Sequence, residues 1–162
     1  MLKIKSIDSA HVVATETSIL FCLWRTVTTR AAVAELSRIA HELVEQSPRG
    51  ISMLTVVESD ADMPDSTIRD ELAKLFKALA KSVICSGLVF EGQGFKAATV
   101  RGITTGINLV ARQPFPHKVF GNVPEAASWM ATHAGMKTTG DIIAKQTEEV
   151  RLALDRACGV RA

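Results

Sequence analysis

The sequence of 162 residues has no tyrosine, few other aromatic residues and only three cysteines. Aromatic residues make up 5% of the chain and are not interleaved with its basic positions, which excludes the stacking surface of a typical single-stranded nucleic-acid site. The cysteines, Cys22, Cys85 and Cys158, form no C-x-x-C pair, and an odd number is a poor disulfide framework. We therefore expect three reduced thiols.

The sequence also lacks an excess of charge and a long apolar run. Its 19 Lys and Arg and 17 Asp and Glu give a net charge of +2, so no overall field attracts nucleic acid or an anionic membrane. Nowhere do about 18 consecutive apolar residues occur, and the start, MLKIKSIDSAHVV, lacks the apolar core of a signal peptide. We expect a cytoplasmic protein without a transmembrane segment.

Apolar residues make up 47% of the chain, and their spacing predicts alternating strands and helices. Two short apolar runs, 11–15 and 19–24, are separated by polar residues and predict a β-hairpin. Strands are also predicted at 51–57, 84–90 and 118–120, and helices at 29–45, 66–83, 95–111, from Asn122 onward, and from Thr138 or Thr139 to about 157. Trp24 and Trp129, which lie among apolar residues, are predicted to be largely buried.

The order β-β-α-β-α-β-α-β-α plus a C-terminal helix predicts the α/β class, with a single mixed, mainly parallel sheet that opens with a hairpin. We place an α/β domain at 1–135 and the C-terminal helix at 136–162. That helix has only a narrow apolar stripe, formed by Ile142, Ile143, Val150, Leu154 and Ala157. It can pack lightly on its own domain or dock on a partner or a second copy.

Two glycines, Gly92 and Gly94, join a predicted strand to a predicted helix. GQGFKA matches G-x-G-x-x-G/A, and a helix N-terminus attracts phosphate. However, the motif follows the fourth strand, and no Asp or Glu lies between Gly92 and Pro124 to hold a ribose. We predict no cofactor and interpret the glycines as a tight turn. Ala98, Gly102 and Gly106 recur every four residues, which predicts close packing of the following helix.

Charges of opposite sign follow two predicted strands. Basic residues without an acid extend from the glycine turn, namely Lys96, Arg101, Arg112 and Lys118, whereas Glu58, Asp60, Asp62 and Asp65 follow the third strand. Because loops after parallel strands gather at one edge of a sheet, the two groups are expected to face each other. Gly92, Gly94, Lys96 and Arg101 are candidates for an anion- or partner-binding rim, and the four acidic residues for an acidic rim. The alternative is mutual neutralisation on a solvated surface.

Motifs for catalysis and metal binding are not found. The acidic segment fails as a calcium loop, because Pro64 and Asp65 take its fifth and sixth positions. The histidines, His11, His41, His117 and His133, have no zinc-ligand spacing, and we expect each on the surface or in a turn. No G-x-S-x-G elbow is present. We predict a non-enzymatic protein with no catalytic and no metal-binding residue.

The element order, with HKVFGNVPEAASWM at 117–130, resembles the STAS-like fold of anti-sigma-factor antagonists and their bacterial relatives similar to lipid-transfer (CRAL-TRIO) domains. The resemblance covers roughly 10–134, and Ala126, Ala127 and Trp129 match the family's final helix. It implies a regulatory phosphosite at Ser66 or Thr67, although Ile68 stands where the antagonists have glycine.

The resemblance also implies a function. A STAS-like protein would be a signalling or scaffold module that binds a protein partner, either a regulator or a second copy. The lipid-transfer relatives imply an alternative, a carrier of a small apolar or acyl ligand between the helices and the sheet.

Overall fold

The computed structural model describes residues 1–111, 114–133 and 137–160; within them, the side chains of Phe95, Thr104 and 106–111 are not described. The described elements are β1 Lys3–Ile7, β2 His11–Glu16, β3 Ile19–Trp24, α1 Arg30–Gln46, β4 Ile51–Val57, α2 Ser66–Leu79, β5 Val83–Phe90, α3 Gly94–Ala111, β6 His117–Phe120, α4 Val123–Ala131 and α5 Gly140–Ala157.

These strands form one sheet in the order β1-β2-β3-β4-β5-β6. The first three strands pair antiparallel, and β3 to β6 pair parallel. The predicted α/β class with a mixed sheet and an opening hairpin is therefore confirmed. The edge strand β1 was not predicted, because its sequence KIKSI alternates charge with apolar residues and stays largely exposed. Lysines on such an edge disfavour pairing with another chain.

Helices cover both faces of the sheet. Helices α1, α2 and α3 each connect one parallel strand to the next, and right-handed crossovers between sequential strands put them on the same face. A core on this face joins Leu20, Met53 and Val83 of the sheet to Leu36 of α1 and Leu75 of α2. A second core on the opposite face joins sheet residues to α4 and α5.

The last helix, α5, crosses the second face of the sheet. Ile143, Val150 and Leu154 are buried in the same cluster as Phe21 of β3, while Ile142 on the outer side is exposed. These three residues of the predicted apolar stripe are thus covered by β2, β3 and α4, whereas Ala157, like Ile142, is exposed.

Side-chain caps start the helices where the sequence predicts. The Asp65 side chain accepts a hydrogen bond from the Ile68 N–H at 2.9 Å, and Asn122 accepts from the Glu125 N–H at 3.0 Å. Thr139 accepts from the Ile142 N–H at 3.4 Å. Each cap satisfies one of the N–H groups that a helix start leaves unpaired.

The two tryptophans differ in burial. Trp24 is 5% exposed, which confirms its prediction. Trp129 is partly buried and packs against the core on the other face, so it is more accessible than Trp24. It lies at the edge of α4, where its ring stands 5.5 Å from that of Phe120 and 4.3 Å from that of His133.

The small-residue stripe of α3 does not pack as predicted. Ala98 and Gly102 are exposed, and a Cβ at Gly102 would meet no atom within 4 Å. The reason is the helical period: Val100 and Ile103 face the sheet and α2, which turns positions 98 and 102 outward. Gly106 falls among the positions whose side chains are not described, and Arg112 lies outside the described residues.

Candidate functional site

An apolar cavity of about 100 Å³ lies between the sheet and the helices of the first face. Its walls combine strands, helices and the loop that follows β4. The strands contribute Trp24, Met53, Thr55, Val57, Leu88 and His117; the helices contribute Leu36, Leu72, Leu75, Phe76, Val100 and Ile103; the connecting segments contribute Thr28, Ala61, Asp62, Met63 and Pro64.

The side-chain periodicity of the strands and helices explains which residues face the cavity. Along β4, Met53, Thr55 and Val57 point to the cavity, and the alternate residues Leu54 and Val56 belong to the opposite core. On α2, positions 72, 75 and 76 lie on one helical face and point to the same space. Predominantly apolar walls with a few polar groups are typical of small-molecule sites.

The loop after β4, residues 58–65, forms one wall of the cavity and carries the predicted acidic rim. Ala61 is 1% exposed. It lines the cavity together with Asp62, Met63 and Pro64. The Asp62 N–H donates to the Thr26 carbonyl at 3.2 Å. Because Asp62 is itself exposed, the cavity reaches the surface beside it.

The predicted basic rim meets this loop at one point. Lys96 Nζ donates to the Ser59 carbonyl at 2.5 Å, so a lysine of α3 contacts the loop backbone rather than a carboxylate. Arg101 is exposed, as are Asp60 and Asp65. The contact with Ser59 places Lys96 beside the loop that carries the acidic residues.

The local geometry explains why glycine occupies both positions of the turn. At Gly92, a Cβ would clash with the ring of Phe90. Gly94 has a φ of 65° and begins α3, a conformation that favours glycine. These positions support the interpretation as a tight turn. Whether the rim binds an anion stays a prediction.

Glu58 points away from the cavity into a network of ion pairs. Arg25 Nε lies 2.7 Å from Glu58 Oε2, and Arg25 Nη2 lies 2.6 Å from Asp155 Oδ1. Arg151 Nη1 lies 2.8 Å from Glu58 Oε1, and Arg151 Nη2 lies 2.6 Å from Glu91 Oε1. Hydrogen bonds with Glu58, and with Asp155, raise the pKa of Arg25 against the effect of burial. The network joins three strand ends to α5.

Apart from Glu58, the residues of this network were not predicted from the sequence. Arg25, Glu58 and Glu91 are each the first residue after a strand, β3, β4 and β5 respectively. Neighbouring parallel strands end at one edge, so this shared position was a usable signal. Arg151 and Asp155 gave no comparable signal, because their position depends on how α5 crosses the sheet.

His117 is a partly buried titratable residue in the cavity wall. Both ring nitrogens are shielded from solvent, and neither has a hydrogen-bond partner among the described protein atoms. Burial lowers the pKa of His117 to about 4, so its imidazole is neutral at pH 7. The ring meets that of Phe76 edge-on at 6.5 Å.

The expectation that every histidine lies on the surface or in a turn was therefore wrong for His117. It was wrong for His11 too, which is buried in β2 and stacks on Trp24 at 5.0 Å. A weak signal existed for His117, because it stands two residues after Phe115, which is buried in the core on the cavity side of the sheet. Alternate positions of an extended segment face the same way.

The predicted phosphosite residues, Ser66 and Thr67, are exposed in the first turn of α2, directly after its cap Asp65. Among the described residues, no three His, Cys, Asp or Glu side chains form a group that could hold a metal ion. No helix in the described ranges has the length and apolar character needed to cross a membrane.

The chain matches no family model, no curated protein and no solved structure. The STAS-like resemblance therefore stays a prediction, and the cavity is the main structural indication of function.

Proposed function

We propose that the protein binds a small apolar molecule in the cavity between the sheet and helices α2 and α3. The observation that carries this proposal is a space of about 100 Å³ whose walls are mainly aliphatic and aromatic side chains. Close packing is the rule in protein cores, so a space of this size within one is unusual. Binding of a small apolar ligand at this place is the carrier function that the resemblance to lipid-transfer domains implies.

The size of the cavity limits the ligand. An engineered apolar cavity of about 150 Å³ in another protein stays dry and binds benzene. Because this cavity is smaller, it takes at most one six-membered ring or a short branched chain. A long acyl chain would need space that the wall residues, including the buried Leu75, now occupy.

Toluene is a suitable probe, and two positions on α3 provide matched variants. Val100 is buried and lines the cavity, whereas Ala98 is exposed on the outer side of the same helix. Val100→Phe should fill the cavity, and Ala98→Phe should leave it open. We expect isothermal titration calorimetry to show toluene binding to the unmodified protein and to Ala98→Phe, and little to Val100→Phe.

Ligand binding to the native state also raises thermal stability by mass action, which provides an independent readout. The proposal fails if toluene neither binds nor stabilises the unmodified protein. Equal binding to Val100→Phe would place the toluene elsewhere and would also contradict it.

The second candidate function is a signalling module switched by phosphorylation at Ser66 or Thr67. It is favoured by the exposure of both hydroxyls in the first turn of α2, where the exposed N–H groups stabilise added negative charge. Phosphoproteomics on the native cell, with pull-downs using Thr67→Glu, tests it. Unmodified hydroxyls together with an unchanged set of bound proteins would exclude the switch.

A further inference from the structure

We infer that His117 recognises a hydroxyl group on the ligand, so that the cavity selects a small apolar alcohol or phenol over a hydrocarbon of the same shape. This inference rests on the proposed ligand-binding function and specifies the ligand's chemistry. It starts from a conflict in the cavity wall: a polar ring faces an apolar space, with neither nitrogen paired to a described protein atom.

The chemistry of the neutral imidazole defines what it can recognise. One ring nitrogen carries a hydrogen and donates, and the other has a lone pair and accepts. A ligand hydroxyl can donate to the second nitrogen or accept from the first. A hydrocarbon can do neither, and it would keep both nitrogens away from water without a replacement hydrogen bond.

The charges around the cavity favour a neutral hydroxyl over a carboxylate. Asp62 lines the cavity and is exposed, and Asp60 and Asp65 lie on the same loop. Lys96 of α3 donates to the loop carbonyl of Ser59. A carboxylate entering beside Asp62 would meet like charge and find a neutral histidine inside.

Thr28 and Thr55 also line the cavity. Their hydroxyl groups could equally cause a preference for a ligand that carries a hydroxyl group. Thr55 comes from β4 and His117 from β6, so each can be removed separately. Thr55→Val removes the hydroxyl with little change in shape and is the matched control for His117→Phe. His117→Gln keeps both a donor and an acceptor and should rescue the preference in part.

Phenol and toluene have nearly the same shape and differ in the hydroxyl, so they test the inference by calorimetry. The quantity is the ratio of toluene Kd to phenol Kd, compared between variants, because this comparison cancels the hydration of each ligand. We expect the ratio to fall about tenfold in His117→Phe, in line with the loss of one buried hydrogen bond. Thr55→Val should retain most of the ratio.

A measurement on the unmodified protein covers the case in which His117→Phe does not fold. In ¹⁵N-histidine NMR spectra, phenol should shift the ring-nitrogen resonances of His117 far more than toluene does. Equal shifts, an unchanged ratio in His117→Phe, or tighter binding of benzoate than of phenol would overturn the inference. Failure of toluene to bind would instead count against the proposed cavity function, so the two failures are distinguishable.

Discussion

Arg151 of α5 donates two hydrogen bonds to the carboxylate of Glu91, from Nη2 to Oε1 at 2.6 Å and from Nη1 to Oε2 at 3.1 Å. Glu91 directly follows β5, so the contact fixes the last helix to the carboxyl end of the parallel sheet. The side chains of Arg151 and Glu91 are 19% and 29% exposed, which places the pair between a surface and a buried ion pair. The same arginine also reaches Glu58.

We therefore expect Arg151→Met to lower the free energy of unfolding by about 1–3 kcal/mol, between the values for exposed and for buried pairs. The substitution keeps an apolar stem but leaves two partly buried carboxylates without this partner. Urea denaturation measures the change. Arg156→Met is the control, because Arg156 is exposed on the same helix and donates to the Leu152 carbonyl. Equal losses of stability in the two variants would show that the ion pairs of Arg151 do not stabilise the protein.

The packing of α5 gives a second matched pair. Leu154 is fully buried in the core on this face, and Leu152 is 43% exposed. Leu154→Ala should cost about 2–5 kcal/mol through lost burial and a residual cavity. Leu152→Ala should change stability by no more than about 0.5 kcal/mol. A small cost for Leu154→Ala in thermal or urea unfolding would contradict the burial of the α5 stripe.

Glycine substitutions separate an exposed helix position from a strained turn. Gly102→Ala should stabilise the protein by about 0.5–1 kcal/mol, because alanine suits a helix better and its Cβ meets open space. Gly50→Ala should destabilise it, since φ is 95° and the Cβ would lie 2.8 Å from the Ser82 carbonyl oxygen. Differential scanning calorimetry should show shifts of opposite sign. A fall in Tm for Gly102→Ala would restore the close-packing interpretation.

His117 predicts a pH dependence of stability. Its pKa is lowered from 6.5 to about 4 by burial, so between these values the unfolded chain binds more protons than the native protein. Stability contributed by neutral His117 is therefore complete above pH 6.5 and is lost as the pH falls toward 4. The slope from this group is at most about 1.4 kcal/mol per pH unit.

Urea unfolding of the unmodified protein and of His117→Phe over this pH range isolates the contribution. The difference in the free energy of unfolding between the two should change with pH between 6.5 and 4 and stay constant above 6.5. A difference that is constant throughout would mean that His117 titrates normally in the native protein.

Local sequence patterns predicted much of the fold and little of the site. Strand β4 and the caps Asp65 and Asn122 depend on neighbouring residues, and the sequence predicted them. The exposed edge strand β1 was missed because it carries no apolar run.

Features that depend on tertiary contacts could not be predicted from local sequence patterns. The direction of the α3 stripe around Gly102 is decided by which side of α3 meets α2. The pairing of Arg151 with Glu91 joins residues far apart in the chain. The spacing of His117 from Phe115 was a weak signal that its side chain faces the helices, but the cavity beside it depends on where α2 and α3 lie.

The most direct measurement is a methyl NMR titration with toluene on protein labelled at its five methionines. Met53 and Met63 line the cavity, whereas Met130 is fully buried in the core on the other face of the sheet. Binding in the cavity predicts that the ring current of toluene shifts the methyl signals of Met53 and Met63 in a saturable manner and leaves that of Met130 unchanged. Unchanged signals from Met53 and Met63 at saturating toluene, or a shift confined to Met130, would contradict the assignment of this cavity as the ligand site.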